Sequence, residues 1–259
     1  MDSQSLLQYL SIALPEIPVQ GTIPSRNTLN PCYSEEDVTQ VIDWPEFNYG
    51  TVIQRYGGIL NSKQIARDPF SSPPAAIRDT AAHFRGRCAP LLYPRVRRAL
   101  RAGFEELAPQ LEQLSLVPVT FDAGNSPAYF NQFGPDTTFI ESTYGNSKNR
   151  APGVMKVSLK WRSDYRHSQN PTFQEEYREV LSEVNFYMGQ NNVRYGFVLT
   201  NTELVAIKRL ERNGYLAVSA AIPWIAGGLG QLTVLMGLWY LGMLAAEKPN
   251  WSLSSSCDR

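Results

Sequence analysis

Gly153-Val154-Met155-Lys156-Val157-Ser158-Leu159-Lys160-Trp161 is the stretch whose reading decides the fold. From Lys156 onward it alternates: Lys156, Ser158 and Lys160 fall on one side, Val157, Leu159 and Trp161 on the other. A period of two is that of a β-strand with one apolar face, so a strand is predicted over 154–161. A helical pattern follows, entered from Pro171 and running over 172–190. Tyr177, Val180, Leu181, Val184 and Met188 form its apolar stripe. Glu183 and Tyr187 lie four residues apart at the edge of that stripe and so share a face. Two apolar strands, 195–200 and 203–210, come next, joined by a tight turn at Asn201.

Downstream, Asn213-Gly214 is a strong turn signal with a short strand beyond it to Ser219. No charged residue occurs between Gly214 and Ala246. Pro223 and the Gly227-Gly228 pair divide that segment, and 229–246 reads as a helix carrying Gln231 and Thr233. Such a helix is expected in the core rather than across a membrane. Upstream, strands are predicted over 116–121 and 137–142, the second entered through Pro135-Asp136, and 145–153 reads as a polar loop. A helix over 94–114 places Val96, Leu100, Phe104, Leu107, Leu111 and Leu114 at helical spacing. Its first half is basic and its second acidic, against the preference of the helix dipole, which points to tertiary contacts or a ligand for the arginines.

The first part of the chain carries Pro15, Pro18, Pro24, Pro31, Pro45, Pro69, Pro73 and Pro74 and reads as extended sequence draped on a domain. Short helices are expected over 6–14, capped by Asp2 or Ser3, at Ser34 followed by Glu35, Glu36 and Asp37, and over 75–85. The division expected is an N-terminal helical and Pro-rich extension (1–85), an α/β domain (86–248) and a polar tail (249–259). The element order, helix, three strands, helix, two strands, helix, predicts an α/β (α+β) fold with a mixed central sheet flanked by helices.

Lysine plus arginine and aspartate plus glutamate each number 24, so no net field draws in nucleic acid. Positive charge is local. Arg85, Arg87, Arg95, Arg97, Arg98 and Arg101 form one group, and Lys148, Arg150, Lys156, Lys160, Arg162 and Arg166 another. Cys32, Cys88 and Cys257 are odd in number and far apart, which suits neither a disulfide framework nor a zinc site and fits a reducing compartment. A cytoplasmic or nuclear location is expected, since the apolar run after Asp2 lacks the basic leader of a secreted chain. Only His83 and His167 are present, and no Gly-x-Ser-x-Gly elbow occurs.

Metal-assisted phosphodiester hydrolysis needs carboxylates to hold a hard cation, and a lysine beside the attacked phosphate. Asp136, Ser158-x-Lys160 and Glu183-x-x-x-Tyr187 resemble the motifs of the PD-(D/E)XK nuclease superfamily in its restriction-endonuclease-like form. The runs 153–161, 194–200 and 238–244 are similar to an uncharacterised fungal family related to it. The resemblance implies a restriction-endonuclease-like core of helix, three strands, helix and strand. It implies catalytic roles for Asp136, Lys160 and Glu183, and Mg²⁺ held by Asp136 and Glu183. It further implies nucleic-acid contacts from Lys156, Lys160, Arg162, Arg97 and Arg98, with DNA, RNA or a protein as partner. Three departures stand out. Ser158 occupies the acid position of (D/E)-x-K, Glu183 replaces a glutamine, and Val154 stands where the fungal family is expected to carry aspartate. Two readings stay open: an active nuclease with a migrated acid (Glu183, Glu141 or Glu105), or a catalytically silent relative. An accessory or protein-interaction role in a fungal metabolic or defence pathway is the alternative to both.

Overall fold

Two strands that run parallel through the middle of a mixed sheet organise the chain. They are β6 (Lys148–Met155) and β7 (Tyr195–Leu199), paired from Gly153↔Phe197 to Met155↔Leu199. The computed structural model describes residues 2–21, 26–27, 30–70, 74–78, 80–124, 134–141 and 148–253. In chain order the remaining elements are β1 (Ser3–Ser5), α1 (Leu6–Leu10), β2 (Gln40–Asp43), α2 (Tyr49–Ser62), β3 (Gln64–Ala66) and α3 (Ala81–Leu107). After them come β4 (Val119–Ala123), β5 (Thr137–Glu141), α4 (Pro171–Gln190, between β6 and β7), β8 (Glu203–Arg209), β9 (Tyr215–Val218), β10 (Ile222–Pro223) and α5 (Val234–Ala246).

The large sheet has the order β2-β9-β8-β7-β6-β5-β4, with β10 beside β8, and β1 pairs β3 separately. The pairs β2–β9 and β6–β7 are parallel; the rest are antiparallel. One face packs Phe121, Phe139, Met155, Phe197 and Leu199 against α1, α2, α3 and α5. The other packs Val154, Val198, Val205, Ile207 and Leu216 against Tyr177, Val180, Leu181, Val184 and Met188 of α4. The result is a mixed sheet flanked by helices on both faces. Alternation along each strand explains the two cores: Val154 and Val198 go one way, Met155, Phe197 and Leu199 the other. The N-terminal segment is built into this body, since β2 extends the sheet and Leu6, Tyr9 and Leu10 join the α3–α5 core.

The helix predicted over 229–246 begins at Val234, where Thr233 Oγ1 accepts from Met236 N at 3.1 Å. Every residue of α5 is buried, which accounts for its lack of a polar face. Among the described residues no helix is long and apolar enough to cross a membrane. The helix over 172–190 is α4, entered through Pro171 and capped by Asn170. The helix over 94–114 is part of a longer one. Helix α3 starts after Thr80, passes through Pro90 and Pro94, and ends at Leu107. Residues 75–78, predicted as the start of a separate helix, are not helical, and Ile77 bridges Val19. Helix α1 is capped by Ser5 in a capping box with Gln8, not by Asp2 or Ser3. Pro24, Pro73, Ser142, Cys257 and the tail beyond Leu253 fall outside the described residues.

The main difference concerns the strand expected over 154–161. Strand β6 occupies what reads as a polar loop and ends at Met155. Residues 158–160 form a turn in which Val157 O accepts from Lys160 N at 2.9 Å and Trp161 N at 3.2 Å. Val157 and Trp161, four apart, are both fully buried, and Trp161 stacks on Tyr177 of α4. Spacings of two and of four coincide at these positions, so the apolar residues fit either a strand or a helical turn. Ser158 and Lys160 consequently share no strand face with Lys156. At the other end of β6, the polar residues Asn149 and Arg150 are buried against partners on β5 and near the C-terminus, although Arg150 Nη1 is left without a hydrogen bond. Asn149 Oδ1 takes the Thr138 hydroxyl, and Arg150 pairs with Glu141 beneath the Trp251 ring.

Close packing of α4 on this seam depends on Gly196 of β7. A Cβ there would lie 2.7 Å from Val184 Cγ1 and 3.1 Å from both Met188 Sδ and Pro152 O. Gly196→Ala should therefore destabilise the fold by roughly 1–3 kcal/mol. Gly58→Ala, in the interior of α2 with open space around it, should stabilise by about 0.5–1 kcal/mol. Urea denaturation of both variants checks the contrast.

Candidate functional site

Strand β5 is entered through Pro135-Asp136, and that carboxylate ties three elements together. Asp136 Oδ2 accepts from Met155 N at 2.7 Å, at the end of β6, and Oδ1 is paired with Arg85 of α3. The next residue after β6, Lys156, reaches across to α4 and meets Glu183 Oε2 at 2.6 Å. Both side chains are largely covered, 17 % and 13 % exposed. Tyr33, from the N-terminal segment, lies close enough to Glu183 to influence its carboxyl. Its ring packs on Phe186 of α4, with centroids 5.6 Å apart.

Burial pushes the Glu183 carboxyl above its ordinary value; Lys156 opposes that shift and the neighbouring Asp136 charge adds to it. One turn earlier on α4, Glu179 is 6 % exposed, and neither carboxylate oxygen has a hydrogen-bond partner. Burial raises its pKa as well, followed by the fields of Glu35, Glu176 and Glu183, with Lys156 opposing. Burial also drives the Tyr33 phenol up, with the Glu183 charge next in size. The site is a largely covered patch in which Asp136, Glu179 and Glu183 face two cations, Arg85 and Lys156.

The remaining residues singled out in the sequence lie elsewhere or are otherwise engaged. Lys160 is in the 158–160 turn; its carbonyl accepts from Asn27 Nδ2, and its ammonium meets no carboxylate among the described residues. Ser158 N donates to Asn201 Oδ1 at 2.8 Å. Arg162 pairs with Asp164 at 2.6 Å. Arg97 donates to Phe121 O and pairs with Asp122, and Arg98 is 3.9 Å from Asp68. Of the acids considered as migrated ligands, Glu141 holds Arg150 and Glu105 meets Lys63 at 3.2 Å. Tyr187, one turn beyond Glu183, is buried and close enough to Tyr33 to influence its phenol.

Sequence reasoning placed Asp136 and Glu183 as site residues without foreseeing Arg85, Tyr33 or the Met155 amide, which arrive from distant parts of the chain. The Glu179–Glu183 spacing of four was a usable signal for Glu179. Lys156 was read as sharing a strand face with Ser158 and Lys160, and the structure makes it the partner of Glu183.

Among the described residues no group of three or more His, Cys, Asp or Glu side chains is placed to hold a metal. Mg²⁺ wants oxygen ligands in near-octahedral array. Both oxygens of Asp136 are engaged, and Glu183 Oε2 is bound to Lys156. This donor set does not fit a divalent ion unless Arg85 or Lys156 is displaced. Compared with protein-family models, with curated proteins and with solved structures, the chain matches none of them.

Two outcomes test the electrostatics. Lys156→Met strands the Glu183 carboxylate in the interior and should cost about 3 kcal/mol or more, with Lys156→Met/Glu183→Leu recovering most of the loss. Glu179 and Glu183 titrate above their ordinary value in the folded state. The stability they contribute is complete below the ordinary glutamate range and is lost as pH rises through the raised values. Wild type should therefore lose stability between about pH 4 and neutrality more steeply than Glu179→Gln. Denaturation midpoints across that range that run in parallel for the two proteins would refute it.

Proposed function

We propose that this chain is a divergent, hydrolytically silent relative of the PD-(D/E)XK nucleases, acting as a non-catalytic accessory protein. Support comes first from topology. Helix α3, the antiparallel β4–β5–β6 meander, helix α4 and the strand β7 parallel to β6 follow one another in the order expected of a restriction-endonuclease-like core. Asp136 at the start of the second meander strand and a lysine at the end of the third stand beside each other in that frame. The observation that carries the reading is Val154. Lys156, not Lys160, lies at the end of β6, and the residue two before it is a fully buried valine in the α4 core. An acid there would have shared the metal with Asp136. In its place an aliphatic side chain packs against α4, and Lys156 is turned onto Glu183.

Pairing of the basic residues favours a protein partner over nucleic acid. Lys156, Arg97, Arg98 and Arg162 each face a carboxylate, and a cation already paired gains less from a phosphate. Lys160 alone of the five has no carboxylate partner among the described residues.

The test is cleavage of single- and double-stranded DNA and RNA with Mg²⁺ or Mn²⁺, comparing wild type with Asp136→Asn. No cleavage by either folded protein is expected. Nucleic-acid affinity at physiological salt should be no tighter than the non-specific range of about 10⁻⁴–10⁻⁶ M. Cleavage that vanishes in Asp136→Asn would overturn the silent reading. Tight binding weakened by Lys160→Ala and by salt would replace the protein partner with a nucleic acid.

A further inference from the structure

Arg209, the last residue of β8, is a half-buried guanidinium without an acid. Its Nη2 donates to Asn213 Oδ1 at 2.9 Å. Its Nε is buried with no partner, and among the described residues no carboxylate lies within ion-pair distance of the group. The contrast within the molecule is sharp: Arg55, Arg85, Arg95, Arg97, Arg150 and Arg166 all hold a carboxylate. Burial depresses the Arg209 pKa, as expected of a cation removed from water without compensation.

The guanidinium lines a cavity of about 390 Å³ beside the C-terminal end of α4. A Cβ on Gly189 would lie 3.6 Å from Nη1, in ordinary contact, so the guanidinium lies against the last turn of α4. Asn185 lines the same cavity, is 4 % exposed, and has a buried Oδ1 with no partner; its Nδ2 donates to Asn213 Oδ1 at 3.3 Å. Asn213 Oδ1 thus accepts from both Asn185 and Arg209, which fixes that carbonyl beside the guanidinium. Asp37 stands on the cavity wall with Oδ2 engaged by Ser34 N.

The negative end of α4 explains why a cation is tolerated here. It supplies no carboxylate, and a half-buried guanidinium without an acid leaves a position for an anion in the cavity that it lines. A carboxylate matches the fork of a guanidinium with two parallel hydrogen bonds. The cavity is at the small end of ligand sites, and Asp37 disfavours a second negative charge. From these features we infer that the cavity at the end of α4 binds a small monocarboxylate through Arg209, with Asn213, held by Asn185, positioning the guanidinium. This site is separate from the Asp136–Glu183 patch and does not rest on the nuclease-like reading.

The experiment is a thermal-melting titration of the full chain with acetate and, separately, inorganic phosphate, at ionic strength held constant with sodium chloride. Acetate should raise Tm saturably, and phosphate should act more weakly. Arg209→Gln should lose the acetate response, by at least about tenfold in apparent affinity for a charge-assisted pair. Arg212→Gln, an exposed arginine nearby in sequence, should keep it. Asn185→Leu leaves the guanidinium in place and should weaken binding too, which keeps the test decisive if Arg209→Gln melts too low to titrate. No saturable response to acetate, an unchanged response in both cavity variants, or a stronger response to phosphate would overturn the assignment.

Discussion

Parallel pairing of β6 with β7 is the constraint from which the rest of the structure follows. Parallel neighbours cannot be joined by a hairpin, so the chain must leave the sheet after β6, cross one face and return. The crossover is the turn at 158–160, the short 3₁₀ segment Ser163–His167, and α4. It fixes α4 over the seam, with Val184 and Met188 against Gly196. It also dictates that whatever follows the last paired residue, Met155, emerges beneath α4. Lys156 is that residue and Glu183 is what it meets. The candidate site is thus a product of the crossover, and its two sides are set by strand pairing and helix packing rather than by flexible loops.

Charge in this chain is arranged as local pairs. The equal numbers of acids and bases in the sequence reappear as ion pairs that join distant segments: Arg85 to Asp136, Arg95 to Asp68, Arg150 to Glu141, Arg166 to Asp43. Partly covered pairs of this kind add little net stability against an apolar alternative, but each is costly to break. They therefore act as fasteners that specify which segment meets which. At the candidate site the same logic consumes the groups that a hydrolytic centre would need free. Asp136 is spent on Arg85 and a strand amide, and Lys156 on Glu183.

The sequence was most legible where one periodicity held without competition. Helix α4 has a clear stripe, a proline at its first turn and an asparagine before it; β7 and β8 are short apolar runs around a polar turn; α5 is apolar all round because all of it is buried. It was least legible where local signals conflict with tertiary gain. From the sequence this helix is expected to start at Pro94, yet α3 runs through Pro90 and Pro94 from Ala81 because one side is held by Phe84, Cys88, Leu92 and Val96 in the core. Asn149, Arg150 and Pro152 read as loop, yet they form β6 because Thr138 and Glu141 of the neighbouring strand β5 take up Asn149 and the Arg150 charge. The alternation from Lys156 to Trp161 misled because residues four apart suit a strand and a helical turn equally. That one ambiguity moved the lysine of the site from position 156 to position 160. The partners Arg85 and Tyr33 carry no local signal at all, since 51 residues separate Arg85 from Asp136.

Helix α4 carries or borders a buried carboxyl and a half-buried guanidinium that lack an opposite partner, Glu179 and Arg209 beside Gly189. They do not neutralise one another. Ten residues of helix separate Glu179 from Gly189, about 15 Å, and at an effective dielectric near 20 a pair that far apart gains only about 1 kcal/mol. Each must be accommodated where it stands. Arg209 lies at the end of the helix where the dipole favours a cation, and a cavity opens beside it. Glu179 lies mid-helix, away from either end, beneath the acids of its own face. No dipole helps it there, so its response is the one open to a buried carboxyl without a partner, which is to hold its proton to higher pH. One helix thus handles the same physical difficulty in two ways, by taking up a proton at Glu179 and by presenting an open binding position at Arg209.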